Sequence, residues 1–521
     1  MDIHKDSVLV IGAGIGGLAA AVRLAAGGRD VTLLEAHGWP GGKIRVMDST
    51  AGPVDAGPTV LTLRDVLDDL FDAAGSKLED HLTLTRLPVL ARHFWSDGTV
   101  LDLFPDARAN ADAIGAAFGT TARREFDRFE RETRALFNAF DAPIMRAAAP
   151  SIWGATRAAL ARPYLMPWLQ PGKTLQNMLE QRFSDPRLRQ LFGRYATYVG
   201  GNPLQAPAVL GLIWQAEAAG VWAVKGGMAE LAQALARLFT RLGGTLRLNT
   251  AVARILAANG QVSGVELADG AVLHSRQVVF NGDPAALPHL LETPSQAVKQ
   301  RQIKPRSLSA RVWTFGAEVQ PQGLGQDALA YHSVFFADDP AQEFGPLARG
   351  QVPQAPTIYV CAQDRAGPSP KGQERFQFIL NAPAVAEGIC DSKDTTCQNH
   401  PFARLAQFGL HLSPQPDQSC VTMPQDFGQM FPHSQGALYG LSPNGTWATF
   451  LRPTTRTRVS GLYLAGGGVH PGAGVPMAAL SGKHAAQAAL SDRTSAATWR
   501  RMAMRGGIST ESATTAAAPS R

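Results

Sequence analysis

The stretch Ser7-Val8-Leu9-Val10-Ile11-Gly12-Ala13-Gly14-Ile15-Gly16-Gly17-Leu18 decides the fold of the N-terminal part. Ser7 to Ile11 reads as a short buried strand, and the alanine-rich run Leu18 to Ala26 as the helix that follows. Between them Gly12 permits a tight turn, Gly14 lets the backbone approach a pyrophosphate, and Gly17 allows the helix to pack closely on the strand. Ala13, Ile15 and Gly16 complete a loop whose following helix N-terminus would face the phosphates. A second strand, Asp30 to Leu34, ends at Glu35 and Ala36. The acid stands 18 residues beyond Gly17, where a ribose hydroxyl needs an acceptor. An acid at this position argues against a 2′-phosphate and so against NADP. A lone glycine motif is weak. Strand, glycines, helix, strand and terminal acid together predict a Rossmann-like dinucleotide unit of an α/β fold.

The rest of the chain is bounded by its composition. At 521 residues it exceeds what one hydrophobic core usually supports, so two or three joined domains are expected. Hydrophobic residues at 45% and charged ones at 18% describe a globular chain. The 49 basic against 43 acidic residues leave a net charge of +6, too small at this length to imply nucleic acid. Four cysteines exclude a disulfide scaffold and suit a reducing compartment. Met1 to Asp6 leads into the first strand without a basic n-region, so no signal peptide is expected. Val459 to Gly482 is uncharged and long enough to span a bilayer, but seven glycines with Pro471 and Pro476 disqualify it as a lipid-exposed helix. A soluble or peripheral protein is the expectation.

A second glycine signal stands near the C-terminus. Leu462 to Leu464 reads as a strand, followed by Gly466-Gly467-Gly468-Val469-His470-Pro471-Gly472-Ala473-Gly474, then Val475-Pro476-Met477 and a helix over Ala478 to Leu490. This again presents backbone donors to an anion or a cofactor edge. His470 reads as a hydrogen-bonding spacer more readily than as a base. Cys390-x6-Cys397-x2-His400 matches no strong zinc pattern, and no histidine pairs with a Ser or Cys nucleophile, so metal and hydrolase readings find no anchor.

Pro40-Gly41-Gly42-Lys43-Ile44-Arg45 and Gly52-Pro53-Val54-Asp55-Ala56-Gly57-Pro58-Thr59-Val60-Leu61 make the pattern specific. With the two glycine loops, they resemble the FAD-dependent amine-oxidase-like superfamily, and within it the phytoene-desaturase-type carotenoid desaturases. That resemblance covers about 480 residues. It implies that Gly41, Gly42 and Lys43 touch the ADP half of FAD, with lysine where many relatives carry the bidentate arginine. It also implies that Gly57, Pro58, Thr59 and Val60 approach the flavin ring, and that Val252 meets the adenine end through its backbone. Gly466, Gly467, Val475, Pro476 and Met477 would face the isoalloxazine. GPVDAGPTVLTLR (52–64) and LARHFW (90–95) look most like the hydroxycarotenoid 3,4-desaturases (methoxyneurosporene dehydrogenases) of purple bacteria. Those enzymes insert a C3–C4 double bond into acyclic carotenoids bearing a C1 hydroxyl or methoxy group. A phytoene or neurosporene desaturase is the runner-up; an amine oxidase and a non-redox prenyl-protein escort protein are the rivals of other classes.

The expected organisation interleaves an FAD-binding domain (1–90, 223–284, 436–490) with an α+β substrate domain (285–435) and a substrate and helical, membrane-facing region (91–222). Within the last, Ala91 to Phe104 reads as a hairpin turning at Asp97-Gly98, and the turn cluster Gly200-Gly201-Asn202-Pro203 is followed by an apolar helix to about Trp222. A disordered tail (491–521) follows. In the helical region, residues 142–200 carry eight basic residues against Glu180 and Asp185, interleaved with Trp153, Tyr164-Leu165-Met166-Pro167-Trp168-Leu169 and Phe183. That mixture favours an anionic lipid surface. The expected partners are therefore a hydrophobic carotenoid and the cytoplasmic face of the inner, photosynthetic membrane. No catalytic base is named, because a conjugated chain can delocalise the charge left by hydride loss. Oxygen, a quinone or another carrier would each serve to reoxidise the flavin, and oligomerisation is left open.

Overall fold

Ser7–Ile11 lies at the centre of a five-stranded parallel sheet ordered Leu462–Leu464, Val278–Phe280, Ser7–Ile11, Asp30–Leu34, Thr245–Arg247. The computed structural model describes residues 7–291, 298–384 and 395–505, so Cys390 and the tail beyond 505 lie outside the described residues. Val8, Val10, Val31, Leu33, Val278 and Val279 are all buried, odd and even positions alike, because helices cover both faces of the sheet. Ile15–Ala26 packs against Ala229–Arg241 and against the final helix, Val475–Arg505. Small residues allow that last contact. A β-carbon on Gly482 would stand 2.2 Å from the Gly16 carbonyl oxygen.

A second, eight-stranded sheet forms the wall of the substrate region. Its long pair is Ser309–Val319 against Glu374–Ala382, followed by Ile358–Ala362 and His332–Phe335. The hairpin expected over 91–104 is present as Ala91–Phe94 and Val100–Leu103. It extends this sheet through a parallel pairing with His332–Phe335. A smaller antiparallel sheet, Val252–Ala258, Gln261–Leu267 and Val272–His274, stands beside the nucleotide sheet.

Three sequence expectations need correction here. The apolar helix expected after the turn cluster at 200–203, to about Trp222, is broken into a 3₁₀ turn at Ala208–Leu212 and a short helix at Ile213–Ala218, after which Trp222–Val224 is a strand. Pro207 precludes helical hydrogen bonding at its own nitrogen, and Gly211 sits where a β-carbon would meet the Trp168 ring at 2.5 Å. The tail does not begin at 491, because the last helix continues to Arg505. The third correction concerns the helical region. Trp168 and Leu165 are buried at 1% and 0% exposure, not available to lipid. The Trp168 indole N–H donates to Glu132 Oε2 at 2.7 Å, and Arg182 Nε donates to the same oxygen at 2.7 Å. Around this polar anchor Phe129, Phe183, Phe192 and Trp214 stack into the core, with ring centroids 4.5–5.5 Å apart.

Candidate flavin and substrate site

The glycine loop closes over the carboxyl end of the central strand. Gly12 has φ +93°, a left-handed conformation that a side chain would strain. A β-carbon on Gly17 would stand 2.0 Å from the Gly12 carbonyl oxygen, so helix and loop touch through backbone alone. The helix starts after Gly14 with no side-chain cap, which leaves its first N–H groups available to an anion. Glu35 is buried, and its carboxylate accepts from Ala13 N at 2.7 Å and His37 N at 2.9 Å. It thus ties the tip of the second strand to the loop.

The sequence reading missed Asn281, at the carboxyl end of the neighbouring strand. Its Nδ2 donates to the Gly12 carbonyl at 3.0 Å, and its side chain fills the space against which Gly14, Gly16 and Gly466 pack. The available signal was topological. In open parallel sheets a ligand lies where strand order reverses, so the strand next to Ser7–Ile11 had to supply a residue there.

The glycine pair and the C-terminal loop meet the same site. Gly41 N donates to the Ala13 carbonyl at 2.8 Å, and a β-carbon on Gly42 would stand 3.1 Å from Gly14 Cα. Lys43 donates to the Leu438 carbonyl and lies over the Phe431 ring. Burial pushes its amine down to about 8, partly offset by Asp283; Arg306 and Arg452 lower it further. Asp283 is ion-paired to Arg306. Arg452, also missed in the sequence, donates to the carbonyls of Tyr439 (2.9 Å), Gly467 (3.1 Å) and Leu441 (2.9 Å), pinning the C-terminal glycine loop. His470 Nε2–H donates to the Ala147 carbonyl at 3.0 Å, joining this loop to the helical region.

These parts surround one cavity of about 1170 Å³, larger than the roughly 300–1,000 Å³ of an ordinary single-ligand cleft. Of the residues assigned to FAD in the sequence, all line it except Ala13 and Gly17, which stand behind the loop. A group rich in phosphate oxygens fits this wall: an uncapped helix end, glycine backbone, and the cations Lys43 and Arg452, with the two carboxylates beside them already engaged, Glu35 by backbone N–H groups and Asp283 by Arg306. The cavity continues past Gly57–Val60 between apolar side chains such as Ile144, Leu210, Ile213 and Val334. It reaches Leu160, Met166 and Trp447, which are exposed.

One side of this extension is polar. Tyr198 donates to Glu217 and receives Arg194 Nη1 at 2.8 Å, while Tyr195 donates to Glu217 Oε1 at 2.9 Å. Close by, Tyr359 OH lies 2.8 Å from Thr59 Oγ1 and 2.6 Å from His332 Nδ1. Burial, with Arg194 nearby, pushes His332 down to about 3 and keeps it neutral. Among the described residues no cluster of His, Cys, Asp and Glu is arranged to hold a metal ion.

Fold and glycine loops together define a flavoenzyme of the amine-oxidase type. Solved structures share that fold at low identity: putrescine oxidase bound to putrescine (15% identical, TM-score 0.60, covering 94% of this chain and 99% of that one) and cyclohexylamine oxidase from Brevibacterium oxydans (16%, 0.57, 94% and 100%). The flavin-containing amine oxidoreductase family matches residues 15–312 and 402–490. Over 495 residues the chain is 53% identical to a protein of Cereibacter sphaeroides named hydroxyneurosporene desaturase, covering 94% of this chain and 98% of that one. A protein of the same name from Rubrivivax gelatinosus is 42% identical, covering 98% of each, and a lycopene-forming phytoene desaturase of a Paracoccus species is 30% identical, covering 95% and 100%. The chain belongs to the flavin-containing amine oxidoreductase family, in its carotenoid-desaturase branch, and is an FAD-dependent oxidoreductase.

Proposed function

We propose that this chain desaturates acyclic carotenoids carrying a C1 hydroxyl or methoxy group, inserting a double bond between C3 and C4. The observation that carries the reading is one continuous cavity, which joins the two glycine loops to an apolar passage with an exposed rim. The names of the relatives at 53% and 42% identity support the choice of substrate. In this reading Gly12, Gly14–Gly16, Glu35, Ala36, Gly41–Lys43 and Val252 hold the nucleotide half of FAD, and Gly57–Val60, Gly466, Gly467 and Val475–Met477 face the ring. Bound FAD supplies a hydride acceptor. The apolar passage aligns the polyene with that acceptor and keeps water away. Delocalisation along the conjugated chain stabilises the charge left on carbon, so the neighbouring proton leaves without a dedicated strong base.

The rim suits a lipid surface. Trp153 is 86% exposed and Leu160 70%, with Tyr164 and Met166 beside them in sequence and Arg157 also exposed. Leu160 and Met166 border the cavity as well, so a substrate dissolved in the bilayer would enter without crossing water. Among the described residues no helix is long and apolar enough to cross a membrane, and peripheral docking at the inner membrane is the arrangement proposed. The test is anaerobic bleaching of the flavin in the purified holoprotein. Bleaching by a hydroxylated carotenoid in micelles, and not by an amine, is expected. Bleaching by amines alone would move the chain to the oxidases, and a preparation without flavin would move it to the escort proteins.

A further inference from the structure

On the polar side of the passage, Tyr195, Tyr198 and Glu217 stand apart from the residues assigned to FAD, and such groups are costly to bury. Glu217 is 2% exposed, and Tyr195 is fully buried. Glu217 accepts two phenols and has Arg194 Nη2 3.8 Å from Oε1, and the two oxygens of a carboxylate offer about four lone-pair sites, so acceptor capacity is left over. Thr59 also keeps an unused valence. The Cys361 thiol also hydrogen-bonds to Thr59. If Tyr359 donates to His332, then Thr59 donates to Tyr359, and one lone pair stays open even when the thiol donates to the other. If the relay runs the other way, Thr59 accepts from Tyr359, its proton turns to the thiol sulfur, and one lone pair again stays open. Both Glu217 and Thr59 line the cavity, as do Tyr198 and Tyr359. Asn381, which also lines it, is already engaged, donating to Glu343 Oε1 at 2.9 Å.

We infer that Tyr198, Glu217 and Thr59 form the receptor for the oxygen on C1 of the substrate, and so set where along the polyene the enzyme acts. This rests on the reading above that the substrate is a C1-oxygenated carotenoid. The covalent geometry of that substrate decides the matter. Its oxygen is three bonds from C3, no more than about 4.5 Å at about 1.5 Å per bond. An oxygen receptor for 3,4-desaturation must therefore adjoin the flavin-facing wall, and Thr59 belongs to that wall while touching Tyr359. A desaturase working near the middle of the polyene would leave the remaining acceptors of these groups against hydrocarbon, which is destabilising. Glu217 and Tyr198 are positioning groups, because they touch the oxygen and not the carbons that react. Their spare acceptors match a hydroxyl donor better than a methoxy group.

The test uses the full-length holoprotein in liposomes with hydroxyneurosporene and, separately, neurosporene. The wild type should favour the hydroxylated compound in kcat/KM. Tyr198→Phe and Thr59→Val should each narrow the ratio of kcat/KM for the hydroxylated compound over neurosporene about 10- to 100-fold, the loss expected when a buried polar partner is left unpaired. Thr59→Ser should restore the preference. An unchanged preference in both variants, or an equal fall on both substrates at normal flavin content, would overturn the receptor while leaving the proposed function intact. A wild type that converts phytoene and ignores hydroxyneurosporene would overturn the proposed function itself. Should Tyr198→Phe fail to retain flavin, the Thr59 pair alone decides.

Discussion

Gly14 and Gly17 stand three residues apart, yet the structure separates what each one does. A side chain at Gly17 collides with the Gly12 carbonyl at 2.0 Å, whereas one at Gly14 meets only the Asn281 amide at 3.0 Å, from an ordinary φ of −68°. Gly17→Ala should therefore destabilise the protein by about 1–3 kcal/mol, the usual cost of overpacking, and lower its Tm with or without flavin. Gly14→Val should fold, melt close to the flavin-free wild type, and purify without FAD. Stoichiometric FAD in Gly14→Val would contradict the nucleotide site. Lys43 gives a pH signature. Its amine is held at about 8 against an unfolded value of 10.5. In the flavin-free protein it is charged below pH 8 and neutral above. Binding an anionic dinucleotide then requires proton uptake above pH 8, so affinity should weaken there, by at most about tenfold per pH unit. The same shift has the opposite sign for folding: between about 8 and 10.5 the unfolded chain binds more protons, so the flavin-free fold should gain stability as pH rises. Lys43→Met should flatten both slopes, read by flavin-fluorescence titration and by thermal melting.

Among the elements, the helical region over 142–200 shows why composition misplaces a surface. Trp168, Leu165 and Phe183 look like lipid anchors beside arginines, yet the arginines are largely turned to internal work. Arg182 pairs with Glu132, Arg187 with Asp97 and Asp185, and Arg146 with Asp65 and Asp141. Helical periodicity cannot reveal that Glu132 reaches inward to receive an indole. The face left to solvent holds Trp153, Leu160, Tyr164 and Met166 instead. Replacing Trp153 and Leu160 with serine should sharply weaken flotation with anionic liposomes while leaving Tm near that of the wild type. Trp168→Phe should do the reverse, leaving flotation unchanged and costing about 1–3 kcal/mol because Glu132 loses a donor in a buried setting. Equal flotation by the double serine variant would assign the rim to another contact.

Over the whole molecule, the nucleotide half was legible because its signals are local. Glycine spacing, two short apolar strands and an acid at a fixed distance follow from backbone geometry within a few dozen residues. The residues that complete the site were not legible, because they converge from distant segments. Asn281 reaches back to Gly12, Arg452 clamps Gly467, and Thr59 meets Tyr359 across 300 positions. The sheet that carries Tyr359 and His332 also recruits Ala91–Phe94, a pairing that no local pattern announces. The central claim, that this cavity aligns the C1-oxygenated end of a carotenoid with the flavin, is tested most directly by the position of the new double bond. Purified holoprotein in liposomes is given hydroxyneurosporene and, in parallel, phytoene, and the products are resolved by absorbance and mass spectrometry. The account predicts one added double bond, at C3–C4, in hydroxyneurosporene and none in phytoene; efficient desaturation of phytoene, with hydroxyneurosporene untouched, would contradict it.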